Sequence, residues 1–171
     1  MSAAAACALL IGGSAYAVTG PVFQYSAPRN GFLAISNMAL APADSTETAD
    51  YSNSANNGLA ATGPRCFTTG LNFPNGATVV KATVWYRSGS TSNVNFLIYR
   101  NRFSDADTDS VVNDTTINDN SGAYKSRTVA ADPAAALVEN SKYAIGFRLC
   151  MGDGDVFHHA RVHYTYTNAG D

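Results

Sequence analysis

Glutamate occurs only at Glu47 and Glu139 in the 171 residues, so a glycosidase-type carboxylate pair would have to enlist aspartates from loops. The sequence holds no G-x-S-x-G nucleophile elbow in its mature part, no H-E-x-x-H, no phosphate-binding loop and no C-x-x-C. Serine and histidine are present, but no spacing joins them into a triad, and they read as ordinary surface residues. The run Asp105, Asp107, Asp109 has the alternation that gathers carboxylates around Ca²⁺. Ser110 stands where the tight-turn glycine belongs, however, and Thr116 where the bidentate glutamate belongs. An EF-type site is excluded. A looser Ca²⁺ site drawing on Asp114 or Asp119 stays open beside a solvated acidic loop, and no other cofactor is expected. His159 and His163 share a strand face at a separation of about 13 Å, too far to chelate one ion without help from neighbouring strands, and His158 is expected to point the other way.

The constellation with most chemical content is aromatic and basic. Trp85, Leu97 and Tyr99 fall on the alternate face of two strands, together with Lys81, Arg87 and, from other strands, Arg148, Arg161 and His159. Aromatic rings stack on flat apolar faces such as those of sugars, while arginine donates to hydroxyls and carboxylates. Three readings follow: a cover from the protein's own second layer, a protein or self contact, and a glycan platform.

The elements that would hold these residues are strands. No stretch of the mature chain sustains a 3.6-residue apolar period for three turns, while Gly, Asn, Ser, Thr and Pro recur throughout. Residues 78–87 alternate, with Val80, Ala82, Val84 and Tyr86 on the core face. Residues 93–101 alternate likewise, with Val94, Phe96 and Ile98 inward, and Ser88 to Ser92 is expected to join the two as a hairpin. In residues 143–150 the core face is Tyr143, Ile145, Phe147 and Leu149; in 157–165 it is Ala160, Val162 and Tyr164. Weaker strands are expected at 22–25, 32–38, 66–73 and 124–130, and long loops at 42–57 and 104–122. About eight strands with polar turns predict an all-β fold, an antiparallel β-sandwich of jelly-roll type.

Composition sets the frame. The chain is 46% hydrophobic and 14% charged, enough for one domain, residues 18–171, with a sizeable core. Eleven Lys and Arg against 13 Asp and Glu leave a net charge of −2, which gives no field for nucleic acid or an anionic membrane. Residues 1–17 read as a signal peptide ending Ala15-Tyr16-Ala17; Gly12, Gly13 and Ser14 interrupt the apolar run, which is too short to span a bilayer. Cleavage there removes Cys7 and leaves Cys66 and Cys150, an even pair suited to a disulfide in an oxidising compartment.

Residues Gly70 to Val79, with Leu71, Pro74, Gly76, Ala77 and Val79, resemble the LP-x-G-A-x-V approach to a central hairpin in a broad group of uncharacterised secreted bacterial β-sandwich proteins. Val94 to Arg100, Val138 to Tyr143 and the closing Val162-His163-Tyr164 are similar to later strands of that group, with Glu139 in place of its usual Asp. The resemblance implies a β-sandwich and brings no catalytic residue. The sequence therefore predicts a secreted, non-enzymatic surface or matrix interaction protein whose partner is another protein or itself, with Trp85, Leu97 and Tyr99 near a homo-oligomer interface and Arg87 at its rim. A carbohydrate-binding module is the alternative, and a small secreted hydrolase using loop aspartates a second one.

Overall fold

Alternating burial along central strand segments, residues 82–87, 95–98 and 147–151, builds two sheets that face each other across one apolar layer. The computed structural model describes residues 23–44, 51–89, 94–114 and 122–169; the expected signal peptide lies outside the described residues. In chain order the strands are β1 (Phe23–Ser36), β2 (Ala41–Pro42), β3 (Tyr51–Ser54), β4 (Gly58–Ala61), β5 (Arg65–Leu71), β6 (Thr78–Arg87), β7 (Asn95–Arg102), β8 (Thr108–Asp114), β9 (Tyr124–Ala130), β10 (Tyr143–Met151) and β11 (Val156–Ala169). One sheet, here called A, runs β3-β4-β11-β6-β9, with β1 also paired to β11. The other, B, runs β2-β5-β10-β7-β8. All pairings are antiparallel. The result is an antiparallel β-sandwich of jelly-roll type.

Phe157, Val84 and Leu59 from sheet A meet Phe67, Phe96, Phe147, Ile98 and Leu149 from sheet B in the core, all at 1% exposure or less. Burial of these side chains contributes about 1.5–3 kcal/mol each, the main favourable term for the fold. At one open edge the sheets are tied by an ion pair: Arg127 of β9 donates from Nε to Asp114 Oδ2 of β8 at 2.6 Å. The buried Asp155 carboxylate accepts from the Gly89 and Gly152 backbone N–H groups at 2.7 and 2.8 Å, pinning the β6–β7 connection against the β10–β11 turn. Gly89 has to be glycine, since a Cβ there would sit 2.5 Å from the Asp153 carbonyl oxygen.

Several sequence expectations are corrected. β6 and β7 form no hairpin: β6 pairs with β11 and β9, whereas β7 pairs with β10 and β8. The connection crosses between sheets, which alternation cannot reveal because both strands still bury one face. Val80 is 37% exposed and Val79 is buried, because the β6–β11 register slips by one residue between Lys81 and Val79. A bulge of this kind moves a side chain to the opposite face. The expected loops contain strands β3 and β8, and the two weak strands at 22–25 and 32–38 merge into β1.

The cysteines are bridged as expected. Cys66 and Cys150 are direct cross-strand partners on β5 and β10, with Cα atoms 4.0 Å apart.

Candidate functional site

The split of β6 and β7 between sheets divides the expected aromatic platform in two. Trp85, Arg87 and Arg161 lie on the outer face of sheet A; Leu97, Tyr99 and Arg148 lie on the outer face of sheet B, across the sandwich. One protomer cannot present Trp85, Leu97 and Tyr99 on a single patch, which corrects the expectation that they share a face.

On sheet A, three residue rows cross β1, β11 and β6: Ser36, His159 and Trp85; Ala34, Arg161 and Thr83; Phe32, His163 and Lys81. The pleat turns all of them outward. Small Ala34 and Thr83 flank Arg161 and leave its long side chain free to lean along the diagonal. Its guanidinium carbon lies 5.2 Å from the Phe32 ring centroid and 5.6 Å from that of Trp85, so it spans the gap between the rings as a shared cation–π partner. His163 stacks on Phe32 at 5.0 Å and His159 on Trp85 at 4.7 Å. The five groups form one stripe, His163, Phe32, Arg161, Trp85, His159. Phe32 is 58% exposed, and Trp85 is half-buried, with His159 and Arg161 against its ring.

A cleft of about 480 Å³ opens at the Trp85 end, lined by Ser36, Asn37, Gly58, Trp85, His158 and His159. Sequence reasoning missed Phe32 because a lone aromatic at the start of a weak strand carries no sign of which strand it will pair with. His158 also differs from expectation. The β11–β6 register slips between Phe157 and His159, so His158 turns outward and meets Tyr124 edge-on at 5.0 Å. Burial, followed by the nearby His159 and Arg87 charges, holds its imidazole below the usual range.

The outer face of sheet B carries a second, shallower cleft of about 450 Å³, with Thr68, Leu97, Tyr99, Asn101, Thr108 and Arg148 around it. Tyr99 is opposite Gly146, and its ring lies flat over that residue: a Cβ on Gly146 would meet Tyr99 Cζ at 2.4 Å. Thr68 donates its hydroxyl proton to the Phe147 carbonyl at 3.1 Å, so the 3.2 Å contact with Tyr99 has the phenol as donor. Arg148 Nη2 lies 3.4 Å from Cys66 Sγ.

The acidic run does not converge. Asp105 accepts from Arg102 at 3.0 Å and from the Asp107 N–H at 3.1 Å, and these contacts hold its carboxyl below the usual carboxylate range, the backbone bond most strongly. Asp107 faces Arg102 at 3.8 Å and Asp109 accepts from Arg100 at 2.9 Å. Among the described residues no group of three or more His, Cys, Asp or Glu side chains is placed to hold a metal ion, and no helix is long and apolar enough to cross a membrane.

The class defined by these features is the antiparallel β-sandwich with an open, aromatic and basic outer face. No family model and no curated protein sequence matches the chain. Among solved structures, it is similar to the xylan-binding module CBM15 at 15% identity and a TM-score of 0.48, covering 82% of this chain and 100% of that one. A structure of infectious bursal disease virus Gx strain matches at 11% identity and a TM-score of 0.45, over 83% of this chain; the chain spans 32% of that viral chain's length. TmCBM61 in complex with β-1,4-galactotriose matches at 13% identity and a TM-score of 0.32, over 88% and 97% of the two chains.

Proposed function

We propose that the protein is a secreted, non-enzymatic binding module that holds polysaccharide on the outer face of sheet A. The observation that supports this reading is the stripe of Phe32, Arg161 and Trp85 across three adjacent strands. Rings held on paired strands keep their spacing without an ordering cost, which favours a ligand with flat faces repeated along a chain. A pyranose offers such a face on its C–H side and hydroxyls at its rim, for which the Arg161 guanidinium between the two rings is a donor. Secretion is supported by the apolar segment 1–17 and by a disulfide, which persists in oxidising compartments.

The test is retention of the exported protein on a panel of immobilised polysaccharides, with Trp85→Ala and Phe32→Ala beside the parent. Retention on at least one polysaccharide, lost in both variants while their melting curves stay cooperative, is the expected result. Unchanged retention in both variants would move the binding site elsewhere.

A second reading, contact with a protein or with another copy of the chain, is favoured by the opposite face, where Leu97 and Tyr99 line a shallow cleft. Light scattering of the parent and of Leu97→Asp tests it: a dimer that the substitution dissociates supports that reading, and a monomer in both removes it.

A further inference from the structure

The net charge of −2 hides a strong segregation of charge. None of the strands of sheet A contains an Asp or Glu, yet they carry Arg29, Lys81, Arg87, Lys125, Arg127 and Arg161 as well as all three histidines. The carboxylates lie in sheet B, in the turns and in segments outside the described residues. Away from the outer face of sheet A most cations are paired: Arg100 with Asp109, Arg102 with Asp105, Lys142 with Glu139, and the inward Arg127 with Asp114, whereas Arg148 on sheet B meets only Cys66 Sγ among the described residues. On the face itself, Lys81, Arg87 and Arg161 have no carboxylate partner among the described residues.

From this we infer that the ligand of the face is an anionic polysaccharide, one bearing carboxylate or sulfate groups. The inference rests on the glycan-binding reading above and adds the charge of its ligand. Three cations without a carboxylate partner among the described residues, on strands that contain no Asp or Glu, favour an anionic ligand over a neutral or cationic one. Arg161 shows how charge and stacking combine. Its guanidinium carbon lies 5.2 Å from the Phe32 ring centre and 5.6 Å from that of Trp85, which puts its N–H donors within reach of an oxyanion carried by a sugar seated on those rings. His159, stacked on Trp85, places a further ring nitrogen at one end of the stripe, while at the other end His163 Nε2 donates to Asn30 Oδ1 at 2.9 Å. Single-stranded nucleic acid also combines stacking with negative charge, but a disulfide is the mark of proteins in oxidising compartments, which favours a polysaccharide over it.

The test uses polymers matched in backbone and different in charge: polygalacturonate against its fully methyl-esterified form, and dextran sulfate against dextran. A mixed-sequence single-stranded oligonucleotide and a panel of other neutral polysaccharides complete the set. The expected result is binding of at least one anionic member about tenfold more tightly than its neutral twin, as two or three exposed charge contacts supply. Raising the salt from low to about 0.3 M should erase the difference through screening. Arg161→Gln should lose the preference for the anionic member, and Trp85→Ala should lose binding of both. The polygalacturonate and dextran sulfate arms distinguish carboxylate from sulfate. Equal binding of charged and uncharged twins, or retention of neutral polysaccharides alone, would overturn the inference and leave the glycan reading standing. Retention of no polysaccharide at all would overturn the glycan reading itself. Tighter binding of the oligonucleotide than of every polysaccharide would overturn both.

Discussion

Replacing Cys66 and Cys150 together by serine should lower the stability of the protein by about 4–5 kcal/mol. The value comes from the unfolded chain: the bridge closes a loop between residues 84 apart, and loop-closure entropy for that length is worth about 4–5 kcal/mol at 25 °C. Folded-state terms are small here. Both cysteines are half-buried on the outer face of sheet B, so serine opens no core cavity. The neighbouring pairs Phe67 with Leu149 and Thr68 with Arg148 keep the β5–β10 register without the bridge. With a urea m-value of about 2 kcal/mol/M, the unfolding midpoint should fall by about 2 M. Equilibrium urea unfolding of the oxidised parent, the reduced parent and the double variant would measure this, and the last two should coincide. A midpoint shift below about 0.5 M would refute the loop-closure reasoning and show that the unfolded chain is already compact around these strands.

Gly146→Ala should cost about 1–3 kcal/mol in the parent by lifting the Tyr99 ring off the sheet, and much less in a Tyr99→Ala background; a double-mutant cycle of unfolding free energies reads the coupling. Asp155→Ala should cost about 1–3 kcal/mol for each of the Gly89 and Gly152 N–H groups left without an acceptor, with faster hydrogen exchange at those two amides. The His158 imidazole is held below its ordinary value of 6.5, so on acidification the unfolded chain takes up that proton first. Stability should therefore fall as the pH drops below about 6.5, and His158→Gln should flatten that part of the pH profile.

Strand existence was legible wherever one face is buried against the other sheet. Ala82, Val84 and Tyr86 of β6, or Ile145, Phe147 and Leu149 of β10, show the two-residue period directly. Strand partnership was not legible, because the period reports burial and is silent about which neighbour shares the ladder. The assumed β6–β7 hairpin therefore placed Trp85 beside Tyr99, when the two lie on opposite sides of the sandwich. The bulges at Val80 and His158 were hidden for a related reason: an extra residue flips the face locally, and no turn residue marks the place. Strand β3 is short and polar, and in β8 the two buried apolar residues Val111 and Val112 are adjacent among polar ones, so neither shows a two-residue period and both read as loop. Of the sheet A stripe, Trp85 and Arg161 were within reach of pattern reasoning, and Phe32 was not, since its role depends on the pairing of β1 with β11 across most of the chain.

That pairing also governs how the protein can form. Strand β11 is the hub of sheet A: β1, β4 and β6 all take hydrogen bonds from it, and it comes last of the strands in chain order. Until residues 156–169 have been synthesised, β1, β4 and β6 have no common partner, and the aromatic stripe has neither its arginine nor its stacked histidines. Contacts of such long sequence separation make folding slow and leave unpaired strands exposed meanwhile. A sheet that cannot close before β11 arrives leaves β1, β4 and β6 without their shared ladder partner until then.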